Sequence, residues 1–270
     1  MYQREISPVI KRLSTLYPII GITGPRQSGK TTLAKSLFPH LPYVSLENLD
    51  IRSRAEQDPR AFLGSYPDGV ILDEVQHIPI LLSYLQGIVD ENPQKGRYVI
   101  TGSQNFALSS QITQSLPGRI GMVTLLPLSL YELHQSTNIY MDIFNGGYPG
   151  LHQQHMQPLD FYPSYIQTYI ERDVRQLAEV SNLQDFSRFV RLIAHLTAQE
   201  INYSELGRDI GMTPQTAKRW LNILISTFQW VEIPPFHNNH IKRISGKPKG
   251  YFIDTGLGCY LTSISTSAPP

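Results

Sequence analysis

The sequence predicts an α/β fold in which a mostly parallel sheet is covered by helices, followed by a helical linker and a smaller α+β module. Three observations predict it. Short apolar, β-branched runs alternate with helical stretches through the first half of the chain. The first of these runs opens into a Gly-rich loop that leads into a helix. Beyond residue 180, three helical segments precede two strand-like runs. A chain of 270 residues exceeds the usual single domain of roughly 100–200, so more than one unit is expected. The first domain is expected at 1–135, a linker at 136–180 and the C-terminal module at 181–270. The Pro/Gly-rich stretch from Gly146 to Pro158 is the expected hinge.

Each element supports this in turn. Tyr17 to Ile22 (YPIIGI) reads as a buried strand and runs directly into Gly24-Pro25-Arg26-Gln27-Ser28-Gly29-Lys30-Thr31, a complete Walker A pattern. Thr31 to Phe38 has helical spacing and stops before Pro39. In this strand–loop–helix context Gly24 and Gly29 let the backbone curl with its N–H groups inward, where they and the helix dipole hold phosphate oxygens. Lys30 then neutralises the β- and γ-phosphates, and the Thr31 hydroxyl completes Mg²⁺ coordination, with Thr32 also counted among the nucleotide-binding residues. The ligand this implies is ATP with Mg²⁺.

Gly69 to Leu72 is a second strand and delivers Asp73 and Glu74 to the sheet edge, a Walker B arrangement. Asp73 is expected to hold Mg²⁺ through water and Glu74 to polarise the attacking water, the alternative being an acidic pair that caps the next helix. Arg97 to Thr101 is a third strand, running into Gly102-Ser103-Gln104. Thr101, Ser103 or Gln104 could read the γ-phosphate, and a plain turn is the competing reading. Arg119, in Leu116-Pro117-Gly118-Arg119-Ile120, follows a helix-like stretch and is the candidate arginine finger, in its own subunit or a neighbour's. Its alternative is a plain surface arginine, or one paired to an acid. Met122 to Leu126 reads as a further strand.

In the second half, Phe186, Phe189, Val190, Ile193, Leu196 and Thr197 share one side of a helix over 185–199. Ser204 is the expected cap of a second helix ending at Gly211, and Thr213-Pro214 opens a third that buries Ala217, Trp220, Leu221 and Leu224. With Trp230 to Ile233 and Tyr251 to Ile253 as strands, this is helix-turn-helix spacing with a wing. Lys218, Arg219, Lys242, Arg243, Lys247 and Lys249 could form a patch for a DNA backbone, or merely be solvated. Tyr162, Tyr165 and Tyr169 read as packing residues rather than a stacking platform.

Composition narrows the classes. Hydrophobic residues at 41% and charged residues at 17% match an ordinary globular chain. A net charge of +1 supplies no general field for nucleic acid. The single cysteine, Cys259, excludes an internal disulfide framework or multi-cysteine zinc site, and cytoplasm is the expected location. His152 and His155 lack metal-ligand spacing, and the histidines read as surface residues. The charged N-terminus has no signal-peptide core, and no apolar run of about 18 residues is present, so neither export nor membrane insertion is expected.

Together GPRQSGKTT, VILDEVQ, YVITGSQN, LPGRI and LLPLSLYEL resemble the predicted AAA+ superfamily ATPases of bacteria and archaea, which carry a C-terminal winged-helix and restriction-endonuclease-like region. Gly146-Gly147-Tyr148-Pro149 and Tyr165 to Val174 are similar to that family's linker. The resemblance implies MgATP at Gly24 to Thr31, metal and water handling at Asp73 and Glu74, and a finger role for Arg119. Lys247 to Leu257 resembles the opening of the endonuclease-like domain, which the chain is expected to carry only in truncated form. The leading functional expectation is therefore Mg-dependent ATP hydrolysis coupled to movement of the C-terminal module, with ATP/ADP as ligands and a homo-oligomer as a possible assembly. The alternative is an ATP-regulated DNA or protein adaptor with negligible turnover; a kinase on the same loop lacks a visible acceptor site.

Overall fold

A computed structural model describes residues 2–103, 116–133, 138–170, 183–236 and 246–264. The chain divides into two compact units, Met1–Leu126 and Pro127–Pro270.

The first unit opens with α1 (Ser7–Ser14), β1 (Ile19–Thr23), α2 (Lys30–Leu37) and β2 (Tyr43–Ser45). It continues through α3 (Leu49–Gln57), α4 (Pro59–Gly64), β3 (Val70–Asp73), a 3₁₀ turn at Val75–His77, α5 (Ile80–Glu91), β4 (Tyr98–Gly102) and β5 (Ile120–Thr124). The strands lie in the order β2-β3-β4-β1-β5, and every neighbouring pair is parallel. This is the α/β architecture that the sequence predicts. β1, β3 and β4 are buried at every position, as strands covered on both faces must be.

Because side chains alternate across a strand, the apolar runs sort residue by residue into two cores. Ile19, Val70, Leu72, Tyr98 and Ile100 face one side with Ala55 of α3, Phe62 of α4 and Leu81 and Leu85 of α5. Ile20, Ile22, Ile71 and Val99 face the other with Ile10 of α1 and Leu33 of α2. All five carboxyl ends therefore point to one edge, where ligands of open α/β sheets bind.

The second unit contains α6 (Leu130–Leu133), α7 (Ile139–Asn145), α8 (Pro149–Gln153) and α9 (Pro158–Tyr165), which passes into a π turn at Ile166–Ile170. Then come α10 (Leu183–His195), α11 (Tyr203–Ile210), α12 (Pro214–Ser226), the antiparallel pair β6 (Trp230–Ile233) and β7 (Lys249–Phe252), and α13 (Thr255–Leu261). Phe186, Phe189 and Val190 of α10 pack with Ala217, Trp220, Leu221 and Leu224 of α12, the faces that the spacing predicts. Tyr162 and Tyr165 are buried in the same core.

Three local details differ from the sequence reading. Helix α10 ends at His195, and Thr197 is exposed beyond it. Helix α11 is capped by Asn202, whose Oδ1 accepts from the Ser204 N–H at 3.1 Å, so Ser204 lies inside the first turn rather than capping it. The segment before α11 also pairs with β7: Ala198 N–H donates to Gly250 O (2.8 Å), and Ile201 N–H to Pro248 O (3.0 Å). The hairpin thus has a third short edge, which the sequence did not suggest. Among the described residues no helix is long and apolar enough to cross a membrane.

Candidate functional site

The loop that follows β1 begins where only glycine fits. Gly24 has φ +147°, and a Cβ there would stand 2.1 Å from the Leu125 carbonyl oxygen, just past β5. Gly29, at φ 93°, caps α2 in the left-handed region, and exposed Gln27 is left-handed too (φ 62°). Between them the backbone turns tightly enough for α2 to start at Lys30 with its amino end at the loop. Lys30 is buried, and its Nζ donates to the carbonyls of Gly24 (3.0 Å) and Pro25 (2.9 Å) across the loop's own mouth. Pro25 and Ser28 are also buried, and the Ser28 Oγ has no hydrogen-bond partner among the described residues. Arg26 lies 3.8 Å from the Glu47 carboxylate, and Thr32 is exposed on α2.

Asp73, at the end of β3, gathers three hydroxyls. Thr31 Oγ1 donates to its Oδ2 at 2.9 Å, Tyr43 Oη to the same oxygen at 2.7 Å, and Thr101 Oγ1 makes a close contact with Oδ1. Burial, reinforced by the neighbouring Asp73, pushes the Tyr43 phenol well above its usual range, so it stays a donor. Glu74 follows in the left-handed region (φ 57°, ψ 50°), a conformation that costs a non-glycine residue about 1–3 kcal/mol. Its Oε2 accepts from Ser103 Oγ at 3.1 Å and from Gln76 Nε2; Gln76 Nε2 also reaches Ser103 Oγ at 3.3 Å. The Glu74 side chain makes no capping bond to the 3₁₀ turn behind it, so the helix-cap alternative does not describe this pair.

The structure thus brings Lys30, Thr31, Asp73, Glu74, Thr101 and Ser103 to one sheet edge. Gln104 lies outside the described residues, as do Tyr169's side chain, Lys242 and Arg243. Arg119 is not brought there. Its carbonyl accepts from the Ile19 N–H, so it stands at the amino end of β1 and β5. With about 3.3 Å of rise per residue, roughly 13 Å of strand separates that level from Thr23. Arg119 instead pairs bidentately with Asp90 through Nε (2.6 Å) and Nη2 (2.8 Å). The pair holds the Asp90 carboxyl below its usual range and raises the guanidinium.

The donor set fits the ligands that the motif implies. Thr31 and Asp73 supply adjacent hard oxygens, the type Mg²⁺ prefers, and the loop supplies backbone N–H groups beside a buried ammonium. Among the described residues no group of three or more His, Cys, Asp or Glu could hold a metal by itself, so a cation here would draw its remaining ligands from phosphate or water.

Three contributors were not picked out from the sequence. Tyr43 comes from the three-residue strand β2, Gln76 stands two residues beyond Glu74, and Arg4 precedes α1. The buried Arg4 guanidinium donates to Ser28 O at 2.7 Å and to Leu126 O at 2.5 Å, fastening the loop from outside. Two of the described histidines depart from the surface reading, while His40 and His195 are exposed as expected: His77 is half-buried, with burial lowering its pKa, and half-buried His152 contacts the Gly146 carbonyl at 2.7 Å. Only His155 of that pair is exposed.

Comparison with known proteins bears on the fold. Residues 16–134 match a family model described as an AAA domain, and residues 136–268 match one described as a domain of unknown function. The latter identifies neither a winged helix nor an endonuclease-like region. Two curated relatives, the uncharacterized protein Rv2008c of Mycobacterium tuberculosis and Mb2031c of Mycobacterium bovis, are each 28% identical over 257 residues. The alignment covers 94% of this chain and 58% of each relative, so the chain spans little more than half their length. A solved structure described as the Walker-type ATPase PABY2304 of Pyrococcus abyssi superposes with a TM-score of 0.59 at 14% identity, covering 97% of this chain and 96% of that one. The first unit thus has the α/β fold, a parallel sheet flanked by helices, that its P-loop neighbours share.

Proposed function

We propose that the chain binds ATP with Mg²⁺ at Gly24 to Thr32 and hydrolyses it. One observation carries this reading: two carboxylates on consecutive residues are held for different tasks at the mouth of the same loop. Asp73 is directed by Thr31, Tyr43 and Thr101, hydroxyls suited to fix a metal ligand, whereas Glu74 is held by Ser103 and Gln76. Bound Mg²⁺ would screen the phosphate oxygens. Lys30 would exchange the carbonyls of Gly24 and Pro25 for phosphate oxygens, and Thr31 and Asp73 would hold the cation. Glu74 would accept the proton of the water attacking the γ-phosphorus as the bond to ADP breaks, while Ser103 keeps that carboxylate oriented.

The same reading takes the second unit as a winged-helix-like module moved by loss of the γ-phosphate. Its support is the order of α10, the edge segment, α11, α12 and the β6–β7 pair. Contact of exposed Lys218 and Arg219 with DNA belongs to this proposal as well, as does assembly into a homo-oligomer in the cytoplasm. The second reading, an ATP-regulated adaptor with negligible turnover, is favoured by Arg119 lying at the opposite sheet edge. Phosphate release by the purified chain, measured with and without duplex DNA and over a range of protein concentrations, separates the readings. Turnover that requires Glu74 supports the hydrolase; tight MgATP binding with none supports the adaptor.

A further inference from the structure

A cavity of about 570 Å³ lies between α4 and α5 over the amino end of β4. It is remote from the phosphate loop: Tyr98 lines it, and four residues of strand, or about 13 Å, separate that level from Gly102. Its floor is cationic, with the Arg97 guanidinium over the Tyr98 ring at 5.1 Å from the centroid. Half-buried Arg97 sends one Nη2–H to the Pro67 carbonyl at 2.7 Å, and its Nε is buried with no partner among the described residues. Among the described residues no carboxylate lies within ion-pair distance of Arg97 or of the exposed Arg60, although Glu91 lines the same cavity. The Tyr98 hydroxyl beneath is fully buried and equally unpartnered, and burial raises its pKa so that it remains an O–H. Buried donors left unmade are costly, and a guanidinium with free donors is the side chain best shaped to receive a carboxylate or phosphate.

Two glycines keep the space open. Gly87, inside α5, and Gly64, at the end of α4, both line the cavity, and a Cβ added at either would meet nothing within 4 Å. Neither has a positive φ, so turn geometry does not require glycine there, and in a helix interior glycine is among the poorest formers. Leu63 and Ile88 supply apolar wall beside the arginines.

We propose that this cavity binds a small organic anion, its carboxylate or phosphate on Arg97 and Arg60 and its apolar body between Leu63 and Ile88. The probes are phenylacetate and phenyl phosphate, followed by NMR of the Arg97 Nε–H and the Gly87 amide in the full chain. The phosphate arm uses Lys30→Ala so that the phosphate loop does not contribute. Acetate and benzyl alcohol supply the charge and the ring separately. At least one anionic probe should shift both signals saturably at about millimolar concentration, and Arg97→Gln or Arg60→Gln should weaken it about tenfold or more. Whichever anion binds tighter identifies the ligand class. Gly87→Phe should abolish binding while leaving MgADP affinity unchanged. Arg60 and Gly87 are exposed, so these variants decide the matter even where Arg97→Gln unfolds. The proposal is overturned by the absence of saturable shifts, by equal binding of benzyl alcohol, or by indifference to both arginine variants.

Discussion

The Ser103 hydroxyl at the end of β4 donates to the Glu74 carboxylate 3.1 Å away, while Thr101, two residues earlier on the same strand, donates to Asp73. One strand therefore sets the direction of both acids. Replacing Glu74 with Gln keeps the size of the side chain and removes its basicity. ATP affinity should persist, and phosphate release should fall by about 10²–10⁴-fold. Ser103→Ala should cost less, about tenfold in kcat, with ATP affinity unchanged. Stopped-flow phosphate release beside nucleotide titration checks both.

Tyr43→Phe deletes one of three hydroxyls on Asp73 and leaves the ring in place. The Mg²⁺ concentration needed for half-maximal nucleotide binding should rise about tenfold, because the groups that orient a metal ligand carry part of its affinity. Titration with Mg²⁺ at fixed ATP, against the same titration without Glu74's basicity, separates metal positioning from chemistry.

At Gly24, a methyl group would collide with the Leu125 carbonyl, and φ +147° is hostile to any side chain. Gly24→Ala should lower the stability of the first unit by about 2–4 kcal/mol and abolish nucleotide binding. Gly118, at φ +72° with open space beside it, gives the contrast: Gly118→Ala should cost about 1 kcal/mol and leave binding intact. Thermal unfolding of the two variants measures the difference.

Arg119 can serve a phosphate loop only on another copy of the chain, after parting from Asp90. Hydrolysis per chain should then rise with protein concentration, and Arg119→Ala should remove that rise without changing ATP affinity. A specific activity independent of concentration, and equal in the variant, would show that this arginine serves only its ion pair.

In the second unit, Asp254 is wholly buried and accepts from Gly147 N–H (2.7 Å), Tyr162 Oη (2.7 Å) and Leu257 N–H (2.8 Å). Burial raises its pKa, outweighing these three donors. A carboxyl raised on folding stabilises the native state most when protonated, so its contribution is present below the ordinary aspartate range and is lost as pH rises through the folded value. Unfolding followed from acid to neutral pH should show this loss in the native protein, and Asp254→Asn should flatten it.

Much of this was legible in the residues. The octet from Gly24 to Thr31 demands a strand before it and a helix after it, and β1 and α2 are found there. Apolar faces at helical spacing, as in Phe186, Phe189 and Val190, report burial directly because one helix face meets one core. The contacts of Tyr43 and Arg4 span 30 and 24 or more positions and arise from the order in which parallel strands align, so no local pattern announces them. Arg119 is different, because its signal was present. A residue immediately before a parallel strand lies at the edge opposite the loop that follows the neighbouring strand, and Arg119 immediately precedes β5.

The fastening by Arg4 has a practical outcome for anyone handling this chain. Four residues from its beginning, a single guanidinium braces the phosphate loop at Ser28 and the end of the first unit at Leu126. Removing that side chain, as in Arg4→Ala, should loosen the loop from 24 positions away and weaken nucleotide affinity with Gly24 to Thr31 all intact.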